Sequence, residues 1–166
     1  MIQAEWRVSP PDGLSGRRVI DVVNQEITRG LETLSMEFER RVRLRTPVGV
    51  FGDGGGLRGQ IFGEVRGTPA REAYIGHTSV YGDVIELGRR PGPISETGRE
   101  SIRLWVQKVL RPAGDRLDQV AFAVTQKIRT RGFPGAHMFQ RALDEGRGVI
   151  DTVWARVGDA IAERLR

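Results

Sequence analysis

The sequence predicts an α+β fold: a small antiparallel β-sheet packed by a long N-terminal helix, two shorter helices and a long C-terminal helix. Three observations carry this. Apolar residues recur at helical spacing over two long stretches, 15–45 and 137–165. Between them, residues 57–80 alternate apolar and polar around a Gly67-Thr68-Pro69 turn, as the strands of a hairpin do. The chain has 166 residues, 39% of them hydrophobic, and a domain of this length buries roughly 70% of its unfolded surface. A single domain over 1–166 is expected.

Taken in order, residues 1–14 read as an N-terminal arm punctuated by Ser9-Pro10-Pro11-Asp12-Gly13, with Ala4, Trp6 and Val8 in a short strand pattern. Over 15–45, Ile20, Val23, Ile27, Leu31, Leu34, Phe38 and Val42 form one continuous stripe. Ser15 caps this helix and Thr46-Pro47 stops it. At 1.5 Å per residue it is about 45 Å long, more than a small core needs, so part of the stripe is expected to meet another subunit. Residues 48–56 contain Gly49, Gly52, Gly54, Gly55 and Gly56. Ordering them costs backbone entropy, so a mobile docking loop is expected.

Leu57, Gly59, Ile61, Gly63 and Val65 then alternate with polar neighbours in a first strand, and 71–80 forms its partner. Tyr81 to Leu87 reads as a short helical turn closed by Gly88. Residues 89–98, broken by Pro91 and Pro93, form a second mobile docking loop. Ile102, Trp105, Val106 and Val109 line a helix stopped by Pro112. Leu117, Val120, Ala121, Val124 and Ile128 line the next, capped by Asp115 and ended by Gly132. After Phe133-Pro134-Gly135, the last stripe is Phe139, Leu143, Gly146, Ile150, Val153, Val157 and Ile161. Gly146, Gly148 and Gly158 each cost about 1 kcal/mol relative to Ala in a helix, and they suit close helix packing. No internal repeat is visible.

Several function classes drop out. The absence of Cys removes disulfide scaffolds, zinc ribbons and thiol nucleophiles. Residues 1–11 have no apolar run and carry Glu5 and Arg7, unlike a signal peptide. No stretch approaches the roughly 18 apolar residues of a membrane span, so synthesis in the cytoplasm and no membrane partner are expected. Residues 54–59 satisfy the letters G-x-G-x-x-G, but in the order helix, loop, strand, where a dinucleotide site needs strand, loop, helix. His77 and His137 lack the converging ligands of a metal site, and no Gly-x-Ser-x-Gly elbow exists. No enzyme activity, metal or cofactor is expected. There are 26 basic residues for a net charge of +5, and 24 of them are Arg, a skew that looks like GC-rich codon usage. In Arg40-Arg41-Val42-Arg43-Leu44-Arg45, the cations complement the negative end of the helix dipole or contact phosphates. The two long helices are each close to charge balance, so positive charge reads as spread over the molecule. A long helix and two costly loops favour an assembly protein.

Three segments, in order, resemble the tail-component or neck family of long-tailed bacteriophages, which act as head–tail joining or tail-completion proteins. The first is the helix ending in Thr46-Pro47, then Gly56-Leu57-Arg58 and a strand through Ile61. The second is Tyr81 to Gly88, similar to the family's Tyr-Ala-x-x-Val-Glu-Phe-Gly at Tyr81, Glu86 and Gly88. The third is Phe133 to Phe139, with Pro134 in its turn, followed by Arg141-Ala142-Leu143, which resembles the family's Pro-x-x-Phe-x-x-x-Ala-Leu entry into a C-terminal helix. Departures are Gly82 for the expected Ala, Gln60 for Ser, and a longer loop between Pro47 and Gly56.

The resemblance implies a virion subunit, located in the neck or tail, that forms a ring at the head–tail junction or the top of the tail. It would present a docking face and leave a lumen for genomic DNA. A hexamer is favoured, with a dodecamer the alternative. Neighbouring connector and tail-tube proteins are the implied partners. Gly52, Asp53, Gly54, Gly55, Gly56, Leu57, Arg58, Arg89 and Arg90 are the expected docking residues. Pro47, Tyr81, Glu86, Gly88, Pro134 and Phe139 are the structural ones. The alternative function is a nucleic-acid-binding module using its Arg-rich surface, recognisable by steep salt dependence.

Overall fold

The computed structural model describes residues 16–49, 56–67 and 71–166. The arm 1–14, Ser15, the segment 50–55 with Gly52, Asp53, Gly54 and Gly55, and the turn 68–70 lie outside the described residues. The elements are α1 Gly16–Arg45, a single helical turn α2 Gly56–Gly59, β1 Ile61–Arg66, β2 Glu72–His77, α3 Gly82–Leu87, β3 Gly88–Arg89, α4 Glu96–Trp105, α5 Leu117–Arg131, β4 Phe133–Pro134 and α6 Met138–Arg164. The α+β architecture agrees with the sequence reading, with the strands in two separate two-stranded sheets, β1–β2 and β3–β4, both antiparallel.

Helices α1 and α6 run antiparallel, α6 pairing with α1 from about Gln25 to Arg45. Val42 meets Met138 and Ala142 at one end, and Glu26 meets Arg164 at the other. Small residues set the spacing. A Cβ on Gly146 would sit 2.4 Å from the Phe38 ring, and one on Gly30 2.6 Å from Val157, so each glycine receives a large side chain of the facing helix. Gly148 and Gly158, expected to serve the same purpose, face open space.

Two apolar clusters follow from this pairing. Leu34, Phe38, Val153 and Val157 form one; Val42, Leu57, Ile61, Met138 and Ala142 form the other. Each fully buried side chain of this size contributes roughly 1.5–3 kcal/mol. The β1–β2 hairpin lays Ile61 and Ile75 on these clusters, and its register pairs Ile61 with His77 and Arg66 with Glu72. The α1 side chains close its β1 edge: Gly63 N–H donates to Glu39 and the Ile61 carbonyl accepts from Arg43, both at 2.8 Å.

Several expectations are corrected. Ile20 is 60% exposed, and the first half of α1 buries Val19, Val22, Glu26 and Gly30 instead. The close approach of α6 at Gly30 and the Glu26–Arg164 ion pair rotate the buried face. On α6, Met138 and Ala142 take the buried places expected of Phe139 and Leu143. Residues 57–59 are helical rather than extended, because Leu57 turns into the core and its carbonyl accepts from Gln60 N–H. Asp115 does not cap α5; it lies in a tight 3-10 turn, Gly114–Arg116, before it.

Residues 89–131 form a helical hairpin that stands apart from both clusters. Helix α4 runs on as a π-helical turn, Val106–Leu110, and packs on α5. Only Val106 and Ala121 are fully buried in it. Its base is held by the β3–β4 ladder and by Gly92 N–H donating to the Arg129 carbonyl at 2.9 Å. Much of the segment 89–98, expected to be a mobile loop, is thus anchored: Arg89 also donates to the Pro93 carbonyl, and Ser95 caps α4 by accepting from Gly98 N–H.

Candidate docking surfaces

The three sequence segments that resemble the phage neck family meet in one place. Thr46, buried at the end of α1, donates its hydroxyl to the Val42 carbonyl and touches the Met138 sulfur at 3.2 Å. Arg58 donates from Nε and Nη2 to the Thr46 carbonyl, at 3.1 and 2.6 Å, so it terminates α1. Glu86 of α3 reaches the start of α6. The residue there, His137, is left-handed (φ 50°) and makes no side-chain cap, and the Glu86 carboxylate accepts from Phe139 N–H at 3.2 Å and Gln140 N–H at 3.4 Å. This satisfies otherwise orphaned donors and places a negative charge at the positive helix end. Gly88 (φ 81°) lets β3 lie against Pro134 and Gly135. Phe139 packs its ring 6.0 Å from His77. Tyr81 and Pro47 are exposed.

The expected docking residues therefore divide. Leu57, 4% exposed, lies in the core cluster with Val42, Ile61, Met138 and Ala142. Arg58 ties α1 to α2, Arg89 is held in the β3–β4 ladder, and Arg90 is exposed at the base of the hairpin. Gly56 opens α2 with φ 60°.

The Arg40–Arg45 cluster has carboxylate partners within the chain. Arg40 and Arg41 pair with Glu37 at 2.9 and 2.8 Å, Arg43 with Glu39 at 2.8 Å, and Arg45 with Glu145 across to α6. Arg40, then Arg41, hold the Glu37 carboxyl below its ordinary value of 4.5. Three of these pairs lie within α1 and only Arg45–Glu145 crosses to α6. A shallow groove of about 430 Å³ lies beside them, with Met36 and Leu44 exposed along it.

Free cationic charge sits elsewhere. The hairpin, residues 89–131, has ten basic and four acidic side chains, while the rest of the chain has 16 and 17. The positive excess is therefore concentrated, contrary to the spread inferred from the two long helices. Arg103 pairs with Asp118 at 2.6 Å and holds that carboxyl below its ordinary range. Arg90, Arg99, Arg116, Lys127, Arg129 and Arg131 are exposed and, among the described residues, have no acidic partner. Exposed apolar side chains accompany them: Phe122 at 65%, with Leu104 and Leu110. Sequence inspection missed this surface because only the hairpin's boundaries define the segment over which charge should be summed.

A second exposed apolar face lies on α3. Val84 and Leu87 lie one turn apart on the helix and Val80 in the turn that precedes it; Val80 is 99% and Leu87 73% exposed. The segment 72–88 carries Glu72, Asp83 and Glu86 and no Lys or Arg. His77 contacts Asp83 at 3.2 Å. Among the described residues no group of three or more His, Asp or Glu could hold a metal, and no helix is long and apolar enough to cross a membrane. Compared with known proteins, the chain matches no family profile, no curated protein and no solved structure.

Proposed function

We propose that the protein is a structural subunit of a long-tailed phage virion, acting as a ring at the head–tail junction or the top of the tail. The observation that supports this reading is the division of the molecule into a charge-neutralised body and a helical hairpin with exposed cations and apolar side chains. Arg and aromatic residues are enriched in protein interfaces, and the hairpin exposes Phe122 beside its unpaired cations. Convergence of the three resembling segments on the α1–α6 junction gives those residues a shared structural task. Chemistry plays no part in the proposed work; the subunit docks and encloses.

Native mass measurement with negative-stain imaging, over a range of concentrations, tests this. Closed rings of fixed subunit number are expected. A strict monomer that binds duplex DNA with steep salt dependence would replace this reading with the nucleic-acid one, which the cationic hairpin also favours.

A further inference from the structure

We infer that the base of the α4–α5 hairpin holds the phosphate backbone of a nucleic-acid duplex, without regard to its sequence. The inference goes beyond the ring reading and does not depend on it, because it rests on the charge of a single chain.

Two segments far apart in sequence meet at that base. The β3–β4 ladder pairs Arg89 with Phe133, and Gly92 N–H donates to the Arg129 carbonyl at 2.9 Å. Gly132 (φ 66°) packs against the Arg89 carbonyl with no room for a Cβ. The segments so joined, 88–95 and 123–135, contain Arg89, Arg90, Lys127, Arg129 and Arg131 and no Asp or Glu. Arg89 donates to the Pro93 carbonyl, and the other four are exposed with no acidic partner among the described residues. The neighbouring Glu86 is engaged by the amides of Phe139 and Gln140. On α5, Lys127 and Arg131 lie one turn apart on one side and Arg129 projects from the other, so cations surround the helix end. The dipole of α5 would be served by Arg129 and Arg131 in its last turn; Lys127 precedes that turn, and Arg89 and Arg90 come from the β3 side of the ladder.

The composition of the patch selects the partner. Ile94, Val124, Ile128 and Phe133 are half-buried, so no large apolar side chain of these two segments is exposed. A protein partner calls for an apolar centre, and a bilayer for apolar side chains to insert. A phosphate backbone calls only for charge and hydrogen-bond donors, and Arg, four of the five cations here, matches phosphate oxygens two at a time. Neither segment exposes an aromatic ring on which an unpaired base could stack, so a duplex, with its phosphates outside and its bases stacked, is the occupant the surface fits. The exposed Phe122 lies about 10 Å along α5 from Arg129, one turn from the Arg103–Asp118 pair, outside this patch.

Anisotropy of a labelled duplex DNA of arbitrary sequence, titrated with the full chain between about 50 and 200 mM salt, tests this. The parent should bind, with log affinity falling against log salt by about 0.9 for each phosphate neutralised, or about 3 to 4.5 for three to five cations. R90E/R131E should weaken binding roughly tenfold or more and flatten the slope by about two, while R90K/R131K, which keeps the charge, should keep the slope. R17E/R18E makes the same change of net charge at the exposed start of α1 and should leave the slope as in the parent. All four residues are exposed, so circular dichroism and melting temperature should match the parent in every variant. No duplex binding by the parent at about 50 mM salt, or equal weakening by R90E/R131E and R17E/R18E, would overturn the inference. Displacement of the labelled duplex by poly-glutamate as readily as by unlabelled duplex would also overturn it and assign the base to an acidic protein. Ring formation is read separately by native mass, so failure here leaves the ring reading standing, and absence of rings leaves this inference standing.

Discussion

Gly146→Ala and Gly148→Ala are the same substitution two residues apart on α6, yet they should change stability in opposite directions. In a helix interior, Ala is favoured over Gly by about 1 kcal/mol. At Gly148, where a Cβ meets nothing within 4 Å, that gain should appear in full. At Gly146 the new Cβ falls 2.4 and 2.5 Å from two carbons of the Phe38 ring, about 1 Å inside normal carbon–carbon contact. Phe38 is buried against Leu34, Val153 and Val157, so the ring can yield only by displacing the helix pair. Overpacking of this kind costs about 1–3 kcal/mol. Once the propensity gain of about 1 kcal/mol is subtracted, the net effect is a loss of up to about 2 kcal/mol. The two variants should therefore differ by about 2 kcal/mol, or roughly 4–8 °C in Tm for a chain of this length. Urea denaturation with unchanged m-values reads the difference. Equal shifts in the two variants would refute the α1–α6 packing described here.

Gly63→Ala should cost about 2 kcal/mol or more in the same assay, since its Cβ meets the Ser35 backbone carbonyl oxygen at 2.7 Å and backbone yields less readily than a side chain. Glu86→Ala should cost about 1 kcal/mol by uncapping α6, and hydrogen exchange should rise first at the amides of Phe139 and Gln140. Glu37, whose folded pKa is depressed, stabilises the fold above its unfolded value of 4.5 and loses that contribution as pH falls through the folded value. Thermal melts between pH 7 and pH 3 should show the parent losing more stability than Glu37→Gln. The difference should be only about a few tenths of a kcal/mol, because the pair is partly solvated.

The order and type of the main elements were legible because each long helix and the hairpin carry their own periodicity. The Gly88 turn and the stop at Thr46-Pro47 were legible for similarly local reasons. Of the candidate site, the exposed Arg90 was legible as an available cation, whereas Leu57 was not recognisable as core: its place depends on Met138 and Ala142, some 80 residues away. The α1 stripe was misread in its first half because Ile20 and Val19 both fit a helical period. Only the facing helix, arriving at Gly30 and bringing Arg164 to Glu26, selects between them.

Charge followed the same division. Composition alone established that the chain is basic, rich in Arg and devoid of Cys. Which Arg residues remain available was a tertiary matter, because an ion pair depends on distance in space. Arg45 is neutralised by Glu145, and Arg43 is engaged by Glu39 and the Ile61 carbonyl. Arg99 and Arg129 remain exposed on a hairpin that packs mainly on itself. Local sequence thus set the elements through short-range periodicity and turn chemistry, while long-range packing decided which faces are buried, which charges are paired and which surfaces are left to dock.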